Sequence, residues 1–347
     1  MQQQKQVHYS DYLQLDKILN AQTLESDLLQ QHAHDEMLFI VIHQAYELWF
    51  KQLLFEIDSV AAIMQKPAVN DNSPELQTVV HRLNRMVTIL KVLVHQIDIM
   101  ETMTPMDFLD FRDMLRPASG FQSWQFKLVE AKLGLKYQQR HGQEYYISQL
   151  RQQQIDLIKQ TEKERSFIEL LNAWLERMPF FEEESVDSPP PPGEAGRGPF
   201  WIDYRNIYAS GLAEAEQNNL QFFDGVFADE SASPERQLSP KACRAALFIM
   251  LYRGYPILQL PFQLLNGLLE IDEQLSTWRY RHMSMVQRMI GTRIGTGGST
   301  GRDYLKGALD KHYIFAEISR LTSFLIERRK LPILSFEMER RLGFVHG

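Results

Sequence analysis

Cysteine is almost absent: the 347-residue chain contains one, Cys243. A disulfide within the chain is therefore impossible, and zinc or iron–sulfur sites built on thiolates are excluded. Cys243 lies in the apolar stretch Ala242 to Leu251, which predicts a buried, inert thiol. Basic charge is also short. Lys and Arg total 37 against 44 Asp and Glu, a formal net charge of -7, and no basic block stands out. That balance disfavours contact with a phosphate backbone, and so disfavours nucleic acid as a partner. No apolar run approaches the ~18 residues needed to cross a bilayer. The polar stretch Met1 to Gln6 lacks the apolar segment of a secretory signal. These absences predict a protein of the reducing cytoplasm with no membrane partner. Strand signals are missing too. There is no sustained period-two alternation of Val, Ile and Thr, no Asn-Gly turn between alternating segments, and no repeat of solenoid period.

What is present reads as helix. Asp35 to Gln65 carries Leu38, Ile42, Leu53, Ile57, Val60 and Ile63 at helical spacing. Ser73-Pro74-Glu75 is a start signal, a capping serine followed by proline at the first helical position, and the run it opens reaches Met103. Thr104-Pro105 repeats the signal with Asp107 in the first turn. Ser239-Pro240 does so again, leading into Ala245 to Tyr252, closed by Gly254. Phe262 to Ile290 is a further long helix, in which Gly267 is a tolerated blemish. The expected fold is all-α, a helical bundle forming a single domain over residues 1–347. Residues 185–199 break the pattern with Pro189 to Pro192, Gly193, Gly196 and Gly198, and cannot be helical. A linker and an ordered surface loop are both compatible with that composition. A long proline-rich loop inside one helical body is expected, because the apolar helices on each side look incomplete alone. Asp229 to Pro234 is a second, shorter loop.

Ten histidines compete for a chemical role. His8, His32, His81, His95, His141, His312 and His346 have no accompanying constellation and read as structural. There is no His-Glu-x-x-His and no Glu-x-x-His, which removes the zincin and di-iron carboxylate patterns. His43 differs. It shares a helix face with Phe39, four residues earlier, inside the apolar run Leu38 to Ile42. A polar ring there must find a partner, either in the core or on a ligand. Phe108 and Arg112 are likewise four apart. Arg112 could pair at the surface with Asp110 or Asp113, or turn inward, where its planar fork would suit a carboxylate. A third element, Thr277 to His282, is followed by the loop Gly295-Thr296-Gly297-Gly298-Ser299-Thr300-Gly301. That loop fails the P-loop pattern for want of Lys-Ser or Lys-Thr. It also fails Gly-x-Gly-x-x-Gly, because Thr300 stands where the last glycine belongs. It reads as a glycine-rich flap over a small ligand.

Taken together these blocks resemble the tryptophan 2,3-dioxygenase family. The matching stretches are His34-Asp35-Glu36, His43 to Gln52, Arg116 to Ser123, and Trp278 to His282 continuing to Gly295 to Ser299, in the family's order. The resemblance implies an all-helical homotetramer with one b-type haem per subunit, ferrous when active. It implies L-tryptophan and O2 as substrates and N-formylkynurenine as product, the first step of the kynurenine route. His282 is implied as the proximal iron ligand, one neutral imidazole that leaves the opposite position free. His43 is the implied distal histidine that meets the indole N–H. Arg112 and Thr296 would hold the carboxylate and ammonium groups, Ser119 would line the haem's distal side, and Phe39 and Phe108 would pack on the indole. Position 108 is tyrosine in some members and phenylalanine here, so no hydroxyl is available at that spot. Tyr9, Tyr12 and Leu13, within residues 1–20, would reach a neighbouring subunit's pocket. The rival readings are a related haem enzyme acting on another indole or aromatic amino acid, and a haem sensor without turnover. Retention of both Arg112 and Thr296 weighs against the first, and an intact pocket with His43, Arg112, Ser119 and Thr296 weighs against the second.

Overall fold

A computed structural model describes residues 6–177, 199–228, 236–293, 301–334 and 336–341. Among the described residues all regular structure is helical, as expected. The principal helices are α1 (Asp35–Met64), α2 (Pro74–Met100), α3 (Pro105–Phe111), α4 (Trp124–Leu133), α5 (Gln152–Thr161) and α6 (Phe167–Glu176). They are followed by α7 (Pro199–Gly211), α8 (Asn219–Phe227), α9 (Pro240–Leu251), α10 (Gln259–Ile290) and α11 (Gly301–Lys311).

The start signals work as chemistry. Ser73 Oγ accepts the Leu76 amide at 3.1 Å and Ser239 Oγ accepts that of Ala242 at 3.1 Å. Thr104 and Asp107 form a reciprocal capping box at the head of α3, with the Thr104 amide donating to Asp107 Oδ2 at 2.8 Å. Each such cap satisfies amides that the first helical turn leaves without partners, and is worth about 1 kcal/mol.

Helix α2 lies between α1 and α10 and packs along both. Its Leu76, Val80, Leu83, Val87, Leu90 and Leu93 are all buried, and recur every three or four residues. Burying a side chain of that size stabilises by about 1.5–3 kcal/mol. α4 packs on α1, α6 on α1 and α9, and α11 on α10. A wing rich in aromatic residues joins the same contiguous core: Trp201 and Tyr204 of α7, Phe223 and Phe227 of α8, and Phe248 of α9. Trp201 stacks on Phe227 with ring centroids 5.6 Å apart. Cys243 is buried in α9, and burial pushes its thiol up to about 12, so it is inert as expected. One row on α1 stays out of the core: Met37, Val41, Leu48 and Phe55 are exposed along a single stripe.

Some boundaries move. α2 ends at Met100, and Met103 is buried beyond the turn that follows. α9 stops at Leu251, and α10 begins at Gln259, before Phe262. Pro199 opens α7 and is not the end of a loop. Residues 185–198, 229–234 and 294–300 lie outside the described residues, and with them Thr296 and most of the glycine-rich segment. Gly267 is more than a blemish. It sits in the buried seam between α10 and α2, where an added Cβ would touch Leu83 Cβ at 3.5 Å.

Candidate active site

One cavity of about 290 Å³ opens between α1, α3, α4, α10 and α11. Phe39, His43, Phe108, Arg112, Ser119 and His282 all line it, so six of the residues singled out from sequence converge. Helical spacing does the converging. Phe39 and His43 project from one face of α1, while Phe108, on α3, and Arg112, which caps it, lie one turn apart. The Phe39 and His43 rings lie 4.1 Å apart, and Phe39 stacks on Phe108 at 5.7 Å. Phe111, fully buried, holds both phenylalanines edge-on.

His43 Nδ1 donates to the Phe39 carbonyl at 2.7 Å. That bond settles the tautomer, because a carbonyl can only accept. The lone pair is left on Nε2. Burial, the larger influence, lowers the pKa of His43 from its ordinary value, against a smaller upward pull from the Phe39 bond and Glu47. The ring is therefore neutral near pH 7 and offers an acceptor.

Arg112 is 3% exposed, with its guanidinium 5.8 Å from the Phe108 ring centroid. The surface reading fails on that burial, and Asp113 instead accepts from Arg116 Nε at 3.1 Å. Ser119 is in extended conformation, caps the short turn Gly120–Gln122 and faces the same cavity.

His282 faces the cavity from α10. Trp278, one turn earlier, lies nearly parallel to it, with ring centroids 5.0 Å apart and planes 8° apart. Its Nδ1 is buried with no hydrogen-bond partner among the described residues. Burial, with a further push from His43, lowers its pKa to about 4. Arg281 pins this stretch of α10 to α2 by ion pairs with Asp98 at 2.6 Å and Glu101 at 3.2 Å. Among the described residues no three His, Cys, Asp or Glu side chains cluster around a point, so no protein-only metal cage exists there. A neutral imidazole with a buried orphan nitrogen on an apolar wall fits a metal that arrives with its other ligands, as in a porphyrin.

His312, read as structural with no accompanying constellation, does have one. It is 2% exposed, lines the same cavity, and its Nε2 accepts the His141 amide at 3.0 Å. Its Nδ1 lies 4.0 Å from Glu130 Oε1, and burial lowers its pKa to about 4. Glu130 is the centre of a buried ionic cluster. Arg140 holds Oε2 at 2.5 Å and Arg279 holds Oε1 at 2.6 Å, and these cations outweigh burial to keep the carboxyl near 2. Lys127, one turn before Glu130 on α4, also faces the cavity. The signal for Lys127 and Glu130 was present in the spacing, since both share a face with Ser123, the last residue of the Arg116 to Ser123 block. His312 gave no local signal.

Tyr9 and Tyr12 are 71% and 74% exposed on the short helix Tyr9–Leu13, and neither they nor Leu13 line the cavity of this chain.

The family model for tryptophan 2,3-dioxygenase matches residues 1–325. The chain belongs to the tryptophan 2,3-dioxygenase family. It is 44% identical to the tryptophan 2,3-dioxygenase of Bdellovibrio bacteriovorus, over 97% of this chain and 98% of that one. Identity to the Dictyostelium discoideum enzyme is 40%, over 98% and 89% of the two chains. Identity to the Rattus norvegicus enzyme is 40%, over 93% and 83%. The protein is thus an oxidoreductase, a tryptophan dioxygenase, and the rival reading as an enzyme of a different aromatic substrate is not favoured. No helix among the described residues is long and apolar enough to cross a membrane.

Proposed function

We propose that the cavity holds a b-type haem on His282 and L-tryptophan between His43 and Arg112. The single observation that carries this is the buried, neutral imidazole of His282, its Nδ1 without a partner, on the wall of the cavity that His43 and Arg112 also line. When bound, a ferrous haem supplies the iron chemistry that lifts the spin barrier between triplet O2 and indole. The chain's own residues do the positioning. His43 Nε2 accepts the indole N–H, because Nδ1 is committed to Phe39. Phe39 and Phe108 cover the indole faces with apolar surface. Arg112 takes the carboxylate through two parallel N–H donors, and Thr296 completes the grip at the amino-acid end. Ser119 contributes a hydroxyl on the haem's distal side. Holding a flat substrate by both ends fixes the C2–C3 bond, which is the task left to the protein once the cofactor carries the hard step. Both atoms of O2 end in N-formylkynurenine.

The same reading makes residues 1–347 one helical domain that assembles as a homotetramer in the cytoplasm. The exposed stripe Met37, Val41, Leu48 and Phe55 on α1, and the bare rings of Tyr9 and Tyr12, supply apolar surface for neighbouring copies. Tyr9, Tyr12 and Leu13 then reach a neighbour's cavity.

The test is stoichiometry with a ligand control. Reduced wild-type protein should consume tryptophan and O2 in equal amounts. His282→Ala should fail to retain haem or lose the five-coordinate ferrous spectrum. An H282A protein with unchanged haem content and spectrum sinks the assignment.

A further inference from the structure

The ionic cluster beside the cavity leaves one cation over. Lys127 is 6% exposed. Glu130, the nearest carboxylate on its helix, has both oxygens engaged, Oε1 by Arg279 and Oε2 by Arg140. No carboxylate lies within ion-pair distance of Lys127 Nζ, and no hydrogen bond holds it, among the described residues. Its one direct contact is with a ring, 4.7 Å above the centroid of Tyr146. Arg140 crowds the same ring at 3.9 Å. Both Lys127 and Tyr146 line the cavity. An ammonium taken out of water without an anion is strongly disfavoured. Burial lowers its pKa to about 8, helped by Arg140 and against an upward pull from Glu130. A buried ammonium with no direct anionic partner is suited to an anion that enters from the cavity side.

Its location narrows which anion. Phe126, adjacent to Lys127 in α4, packs on Trp278 at 5.1 Å, and Trp278 stacks on His282. Lys127 therefore belongs to the wall that carries the iron ligand, whereas Arg112 caps α3 beside Phe108. We propose that Lys127 is an anion-binding residue of the cavity that pairs with a propionate carboxylate of the haem, with Arg140 and Arg279 held in place behind it by Glu130. The inference rests on the haem reading above and adds to it a residue that would pair with the cofactor's carboxylate.

Haem loss from holoprotein to an excess of a haem scavenger, followed at the Soret band, tests this. Wild type, K127M and K127R are each loaded with protohaem or with its dimethyl ester, in which the carboxylates are capped. Wild type should hold protohaem longer than the ester. K127M should lose protohaem faster by about tenfold or more, the size expected for one charge-assisted bond, with no change for the ester. K127R should retain most of the preference, and Lys127→Gln repeats the comparison should K127M fail to fold. Equal acceleration for both porphyrins in K127M would mean a packing role only and overturns the proposal. Unchanged haem loss with an altered preference for L-tryptophan over tryptamine assigns the cation to the substrate and also overturns it. A wild-type protein that binds neither porphyrin overturns the haem reading and this inference together. A wild type that binds both equally well overturns only the inference.

Discussion

Arg112 rests on Phe108 inside the cavity wall, so a carboxylate bound there would meet it in a nearly dry setting. Removing one partner of such a pair costs roughly 3–5 kcal/mol, because the other charge is left stranded. Arg112→Ala should lose most of the wild-type preference for L-tryptophan over tryptamine, which lacks the carboxylate, and should keep its haem. Arg112→Lys retains the charge and loses the planar fork, so it should remain substantially impaired. A variant that discriminates the two substrates as wild type does would place the anchor elsewhere. His43 makes a separate prediction through its lowered pKa. Only the neutral ring offers Nε2 as an acceptor, and a depressed pKa keeps it neutral to lower pH. The acid limb of kcat/KM should therefore fall below the ordinary imidazole value of 6.5, with no loss of activity on crossing it. An acid limb at or above that value contradicts the assignment. The convergence of Arg112 and His43 on one cavity was legible because each sits one turn from an aromatic neighbour. Glu130, Arg279 and His312 escaped notice because their partners are distant along the chain, 149 residues between Arg279 and Glu130 and 171 between His312 and His141.

Two glycines show how far element-level reading carries. Gly267, inside α10, has helical backbone, and its missing Cβ would make an ordinary contact with Leu83. Gly267→Ala should stabilise by about 0.4–1 kcal/mol, through lower unfolded-chain entropy and better helix propensity. Gly134, which ends α4, has φ of +140°, and a Cβ there would lie 2.5 Å from Ile168 Cγ2. Gly134→Ala should destabilise by more than 1 kcal/mol, as about the minimum for strain plus overlap. Thermal unfolding of the two single variants decides the matter, and shifts of the same sign would refute the seam geometry. Caps and apolar spacing made α1, α2, α3, α9 and α10 legible, since Ser-Pro and Thr-Pro signals act locally. Their exact ends were less so: α10 starts three residues before Phe262, where Pro256–Leu258 forms a tight turn that no apolar pattern marks.

The assembled protein should depend on residues that a single subunit leaves in water. Truncation before Leu13 should lower turnover while leaving haem content intact, because Tyr9 and Tyr12 touch nothing of this chain's cavity. Light scattering should give a tetramer, and a fully active monomer would refute the idea. The bundle and a single helical body were expected from patterning, but which elements meet in the core was not. The wing of α7 to α9 joins α1 and α2 through contacts among buried aromatics and aliphatics that leave no periodic trace in the chain.

The ion pairs from Arg281 to α2 and from Arg279 to α4 bear on which ligands the cavity tolerates. His282 stands on a 32-residue helix clamped at that level, and His43 stands on a 30-residue helix packed along the same α2. The two imidazoles are the fixed jaws of a vice. Arg112 caps the seven-residue α3, which meets α1 and α10 over a much shorter length. Adaptation is thereby unequal along the ligand. In the proposed pose, bulk added to the indole, between the two long helices, should therefore cost more activity than a small change of length at the amino-acid end.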